Sequence, residues 1–166
     1  MIHECYGDIF RSGCKILVNP VNCVGIMGAG LALQFRNRYP NMYKQYIKDC
    51  NMGTVVLGGI NVHDIGNGKK IINLPTKRDW KHKSRLDEIE LGLESLKSYV
   101  LDSGLHSVAI PALGCGLGEL NYKDVKPLIE KKFEDVPYGL SVLLYQPLVD
   151  GETKRARKKK NEYQKV

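Results

Sequence analysis

Five short runs of branched, apolar residues recur along this chain, at residues 15–19, 54–57, 70–74, 107–111 and 141–145. Inside each run the apolar character is continuous rather than alternating, which is the pattern of a strand covered on both faces. Residues 2–6 alternate instead, as an edge strand does. Strands covered on both sides need a layer above and a layer below them. Between the runs lie helical patterns long enough to supply those layers. The expected architecture is α/β: a three-layer α/β/α sandwich around a mixed, largely parallel sheet.

The helices announce themselves by period. Leu86, Ile89, Leu93, Leu96 and Val100 recur at steps of three and four, which gives one apolar face. Ser84, followed by Asp87 three residues on, reads as the N-cap of that helix, and Gly104 as its stop. A segment over 29–39 ends at Pro40. The next begins near Asn41 and places Met42, Tyr43, Tyr46, Ile47 and Cys50 on one face. A last helix, around 124–133, carries Val125, Leu128, Ile129 and Phe133. Proline is tolerated only in a first helical turn, so Pro127 sets the start no earlier than about Tyr122.

Length and composition fit one such domain. At 166 residues, with 43% apolar and 26% charged residues, neither disorder nor a fibrous repeat is indicated. No apolar run approaches the ~20 residues that span a bilayer, and the N-terminus lacks the pattern of a signal peptide. A cytoplasmic protein without a membrane partner is expected, and a monomer. The five cysteines are scattered without any Cys-x-x-Cys, and His3, His63, His82 and His106 lack ligand spacing. Neither a disulfide framework nor a metal site is expected, and no cofactor. The net charge of +7 is uneven: the segment from Lys154 to Val166 holds seven Lys/Arg and one Glu, which is +6 of it. A domain over 1–147 is expected, with 148–166 as a basic, disordered tail. Such a tail either attracts phosphate backbones or is simply solvated.

In sheets of this class ligands bind beyond the carboxyl ends of the strands. Two glycine-rich segments fall there, residues 19–31 and 111–118. Glycine lets backbone N–H groups approach an anion, and a helix N-terminus adds a favourable dipole. Two such loops can hold two phosphates of one ligand. A Walker A loop would need Gly-Lys-Ser/Thr, which is missing, and no acidic residue closes the second strand as a dinucleotide fold requires.

Gly7-Asp8-Ile9, Val18-Asn19-Pro20-Val21-Asn22, Gly28-Ala29-Gly30-Leu31-Ala32 and Gly114-Cys115-Gly116-Leu117-Gly118 resemble, in this order, the motifs of macrodomains. The similarity covers about residues 1–146. Asn73-Leu74-Pro75-Thr76-Lys77-Arg78-Asp79-Trp80 and the stretch from Met27 to Phe35 are similar to the DarG antitoxin branch. That branch removes ADP-ribose from DNA bases modified by the toxin DarT, and it is related to glycohydrolases that act on modified acidic side chains.

The resemblance implies ADP-ribose as ligand, ADP-ribosylated DNA as substrate and a DarT-like toxin as partner. Asp8 would accept from the adenine amino group while the Ile9 backbone addresses the ring, unless Asp8 only caps a turn. Gly28, Ala29, Gly30 and Leu31 would cradle one phosphate, and Gly114, Cys115, Gly116, Leu117 and Gly118 the other. Asn19 belongs to the same set, and Asn22 would meet the distal ribose hydroxyls or else stabilise its turn. Tyr145 would pack beside the adenine or be core. Lys77 is the catalytic candidate: a lysine amine shielded from water can attack the anomeric carbon of the distal ribose and expel the base. The plain alternative is a solvated surface lysine. Arg78, Lys81 and Lys83 beside it can bind the modified nucleic acid.

Two departures bear on the target. Protein-directed relatives place an acidic residue after Gly-Cys-Gly-Leu, where this chain has Gly118, with Glu119 one position later. DarG proteins also usually continue into a toxin-binding domain, so the chain is expected to be a standalone enzyme or a fragment. Three functions fit the motifs: a glycohydrolase for ADP-ribosylated DNA, a phosphatase for ADP-ribose 1″-phosphate using His82 or Cys115, and a reader of ADP-ribose without chemistry.

Overall fold

The computed structural model describes residues 1–147; the expected basic tail lies outside the described residues. Six strands form one sheet: β1 (Ile2–Cys5), β2 (Ile16–Val21), β3 (Asn61–Gly66), β4 (Lys69–Pro75), β5 (Ser107–Ile110) and β6 (Ser141–Tyr145). Their order is β1-β6-β5-β2-β4-β3. Every pairing is parallel except β3 with β4, so the sheet is mixed and largely parallel as expected.

Two cores explain why the strand runs are continuously apolar. In β2, Ile16 and Val18 face one cluster and Leu17 and Val21 the other; in β4, Ile72 and Leu74 oppose Ile71 in the same way. Helices α3 (Leu86–Ser103) and α4 (Tyr122–Phe133) cover the first face with Ile89, Leu93, Leu96, Val100, Val125, Ile129 and Phe133. Helices α1 (Gly30–Arg38) and α2 (Pro40–Asn51) cover the second with Phe35, Met42 and Tyr46. Each such side chain contributes about 1.5–3 kcal/mol by leaving water, so truncating one at the centre, Leu93→Ala for instance, costs about 2–5 kcal/mol.

Four local readings change. Residues 54–57 are not a strand. Thr54 wraps the end of α2 by bonding the Asp49 carbonyl through both backbone N and Oγ1, only Val55 is buried, and Gly58 at φ +83° turns the chain away. Instead β3 forms, an edge strand with too few apolar residues to stand out. Its hairpin turn to β4 uses Asn67 and Gly68 at φ +55° and +70°, the left-handed pair that a two-residue hairpin needs. Ser84 does not cap α3: Arg85 precedes the helix, with no side-chain cap bond, and Gly104 ends it at φ +70°. Pro127 sits beyond the first turn of α4, where its ring nitrogen leaves one helical carbonyl without its donor.

Candidate active site at the carboxyl edge of the sheet

Strand order brings the segments together. Parallel strands β5, β2 and β4 are neighbours, so the chain leaving each of them emerges at one edge. Backbone bonds then tie the three exits into one surface. After β4, Thr76 N donates to Val21 O (2.9 Å) and Arg78 O accepts from Cys23 N (2.9 Å), which fixes residues 76–78 against the first glycine loop. Further on, Ser84 N donates to Gly118 O (3.1 Å), which fixes the other end of this connection against the second loop. The 76–85 segment is therefore clamped between the two glycine loops.

Lys77 lies inside that clamp and is only 9% exposed. Its Nζ donates to the Trp80 carbonyl at 3.2 Å, and its own carbonyl accepts from the Cys23 thiol at 3.9 Å. Among the described residues no carboxylate lies within 4.0 Å of the ammonium. Buried cations are ordinarily paired. A buried lysine held by one carbonyl is thus not a solvated surface charge.

The first loop delivers its glycines to a helix start. Ala29 occupies the N-cap of α1 without a side-chain cap bond, and Gly30 follows at φ +55°. Gly28, Ala29 and Gly30 are exposed and Leu31 is half-buried. The first-turn N–H groups there have no side-chain acceptor, the arrangement that receives an anion. The second loop closes on itself through Cys115 N to Ala112 O (3.2 Å), Glu119 N to Gly116 O (3.1 Å) and Leu120 N to Gly114 O (2.9 Å). Gly116 and Leu117 are exposed at its tip, whereas Gly114 and Gly118 are buried. A β-carbon on Gly118 would lie 2.3 Å from Ser84 Oγ and 2.5 Å from Gly114 O. No acidic side chain can stand at that position in this loop. Glu119, at φ +63°, turns outward and pairs with Lys83 at 3.1 Å.

The other expected residues divide. Asp8 follows β1 and Tyr145 ends β6, and these strands pair with Cys5 opposite Tyr145, so both sit at the same edge. Asp8 Oδ1 accepts from Phe10 N (2.9 Å) and caps the short 3₁₀ turn Ile9–Arg11, while Oδ2 faces Arg38 at 3.8 Å. The Arg38 guanidinium in turn lies 4.1 Å from the Phe10 ring centre. Ile9 and Tyr145 are buried in the core beneath. Burial raises the Tyr145 phenol above its ordinary pKa. Asn22 is engaged within its own turn: Oδ1 accepts from Val24 N, Ile26 N and the Tyr46 hydroxyl, and Nδ2 donates to Ile26 O at 2.7 Å. Asn19 is fully buried. Its Nδ2 donates to Asn73 Oδ1 at 3.0 Å, and its own Oδ1 has no partner.

Sequence reasoning passed over two neighbours. Ser84 is the buried contact of both Gly114 and Gly118, with its hydroxyl unpaired; no local pattern marks a serine for that duty. Tyr46 anchors the first loop by donating to Asn22 O at 2.8 Å, and its place on the apolar face of α2 hid this polar end. The thiols of Cys23 and Cys115 are each pushed up to about 11, chiefly by burial. A concavity of about 520 Å³ lies elsewhere, between the start of α2 and β3, and no glycine-loop residue lines it. The candidate site is instead the edge where the two glycine loops clamp the segment that carries Lys77.

Known proteins share this fold. The Macro domain family model matches residues 18–129. A DNA ADP-ribosyl glycohydrolase of Mycobacterium tuberculosis is 42% identical over 150 residues, covering 89% of this chain and 42% of that protein. The chain thus spans less than half the length of that relative. The solved macrodomain of Mycobacterium tuberculosis DarG superposes with a TM-score of 0.86 at 41% identity, over 89% of this chain and 99% of that one. Thermosipho africanus DarTG, solved in complex with ADP-ribose, gives 0.80 at 31% identity over 86% of this chain and 40% of that one.

Proposed function

The chain belongs to the Macro domain family, and from that premise we propose that it binds ADP-ribose at the carboxyl edge of its sheet and hydrolyses the N-glycosidic bond joining ADP-ribose to a modified DNA base. The single observation that carries the reading is Lys77, buried between two glycine loops with no carboxylate partner among the described residues. The N-terminus of α1 receives one phosphate and the tip of the second loop the other. Asp8, with Oδ2 at the surface, addresses the adenine amino group above Ile9, and Tyr145 supports that end from below. Asn19 and Asn22 act from beneath, by holding the first loop in shape.

Chemistry then follows from the amine. Lys77 Nζ attacks the anomeric carbon of the distal ribose; the carbon–nitrogen bond to the base breaks, and the base leaves with the electron pair and takes up a proton. Water displaces the lysine from the anomeric carbon, which frees ADP-ribose and restores the amine. DNA is favoured over protein as the target because the loop has no room at Gly118 for the acid that protein-directed relatives carry. The mark would be laid down by a DarT-like transferase. A 1″-phosphatase would need His82 or a Cys115 thiolate; His82 is exposed on the 76–85 segment, and burial holds the Cys115 thiol near 11.

Lys77→Ala is expected to lower release of ADP-ribose from a modified oligonucleotide by on the order of 10³-fold or more, as deletion of a covalent nucleophile does, while affinity for free ADP-ribose stays within about twofold. Full activity in this variant would sink the lysine mechanism. A wild-type protein that binds ADP-ribose and releases it from no conjugate would be a reader.

A further inference from the structure

Resting on the DNA reading above, we propose that Trp80 is a stacking platform for the base next to the ADP-ribosylated one. Trp80 is the chain's one tryptophan, and half of it (51%) is exposed. It stands three residues from Lys77, and its carbonyl is the acceptor that holds the Lys77 amine. The indole is therefore positioned by the same turn that positions the nucleophile. The Lys81 ammonium lies 5.4 Å from the ring centre, a cation–π contact that orients the ring and brings a positive charge beside it.

The charges around the ring sort into spent and available. Lys83 is paired with Glu119 and Arg85 with Asp87. Asp79 turns its Oδ1 to Lys81 N. Arg78 and Lys81 are exposed and have no ion-pair partner among the described residues. Val24, Ile26 and Leu117 are exposed on the two glycine loops to either side. An aromatic face flanked by unpaired cations is what a single strand needs: a base stacks while the neighbouring phosphates find charge.

The depth of Lys77 gives the indole a base to receive. A bond that must reach a buried amine can do so only if its base has left the helical stack. A single strand presents such a base freely, whereas a duplex must first unpair it. The base beside the modified one then loses its stacking neighbour, and the indole replaces it. An acidic peptide would find the cations but give the indole nothing to stack upon.

Excitation of Trp80 gives a direct readout in the full chain. Titration with unmodified oligothymidylate should quench its emission. Trp80→Ala should raise KM for release from a modified single-stranded oligonucleotide roughly tenfold or more, with affinity for free ADP-ribose unchanged and Trp80→Phe restoring most of the loss. Arg78→Ala and Lys81→Ala should each lower the salt dependence of oligonucleotide binding by about 0.7 in log–log slope. If the wild type releases ADP-ribose from the oligonucleotide and Trp80→Ala does so equally well, the platform is refuted and the DNA reading stands. Loss of free ADP-ribose affinity in Trp80→Ala, or quenching by a modified acidic peptide and not by the oligonucleotide, also overturns it. Quenching by the oligonucleotide without any release from modified DNA supports the platform and removes the glycohydrolase reading.

Discussion

Around Gly28 and Gly30 of the first glycine loop a β-carbon would find space, and at Gly114 and Gly118 of the second it would find atoms, with only the tip residue Gly116 open. Added to Gly28 it would meet only Ile26 Cγ2 at 3.5 Å, and at Gly30 nothing within 4 Å. Added to Gly114 it would meet Leu120 Cδ1 at 2.9 Å and Ser84 Cβ at 3.0 Å, and at Gly118 it would overlap Ser84 Oγ and the Gly114 carbonyl. Both segments look alike as sequence, yet glycine serves opposite purposes in them. In the first it leaves the backbone surface open. In the second it lets the loop lock onto the segment that carries Lys77.

The sharpest way to break this comparison is Gly118→Ala. The overlap with Gly114 O is with backbone, which cannot swing aside, so the loop or Ser84 must move. We expect a cost of about 1–3 kcal/mol, a Tm lower by roughly 2–10 °C in thermal denaturation, and impaired release of ADP-ribose. A Tm within about 1 °C of wild type would contradict the locked-loop account. Ser84→Ala alone should be neutral or slightly stabilising, because the hydroxyl it removes is buried and unpaired. Combined with Gly118→Ala it should recover part of the loss, at least about 0.5 kcal/mol in a double-mutant cycle, since the closest side-chain atom is gone. Additive effects would mean that Ser84 is not what confines Gly118.

Changes in the first loop should be milder for the fold and more telling for the ligand. Gly30→Ala places a side chain at φ +55°, which costs about 1–2 kcal/mol through the backbone alone. Gly28→Ala has neither strain nor collision, so stability should stay within about 0.5 kcal/mol. If a phosphate approaches that backbone, however, its calorimetric affinity for ADP-ribose should fall about tenfold, or 1.4 kcal/mol. Unchanged affinity in Gly28→Ala would remove the first loop from the phosphate site.

How much of this could be read in advance depends on where the constraint lies. Strands β2, β4, β5 and β6 were legible because both of their faces are buried, and continuous apolar runs follow from that alone. Strand β3 escaped because an edge strand with Asn61, His63 and Asp64 in it looks polar, although Asn67-Gly68 did signal its hairpin. Residues 54–57 misled for the converse reason: four branched or apolar residues stand together, but only Val55 is buried. At the site, the glycine segments and Lys77 were visible as motifs. That they meet depends on the β5-β2-β4 order, which local pattern does not encode. The part played by Ser84 is entirely tertiary: it read as a helix cap and is instead the wall behind Gly114 and Gly118.

The smallest expected difference between the loops concerns their thiols. Cys23 donates to the Lys77 carbonyl and Cys115 to the Leu113 carbonyl at 3.4 Å, in surroundings with little else in common. Burial nonetheless carries both to about 11. Both should therefore remain protonated at pH 7.5 and react with iodoacetamide roughly a few hundredfold more slowly than an ordinary exposed thiol near 8.5, with rates climbing about tenfold per pH unit and levelling off near pH 11. Mass spectrometry of the time course separates the two sites. Rapid labelling of Cys115 at neutral pH would mean that the second loop opens to water. It would also hand the phosphatase reading the thiolate nucleophile that the locked loop denies it. Slow labelling at both sites would leave the proposed Lys77 mechanism without a competing thiolate in either loop.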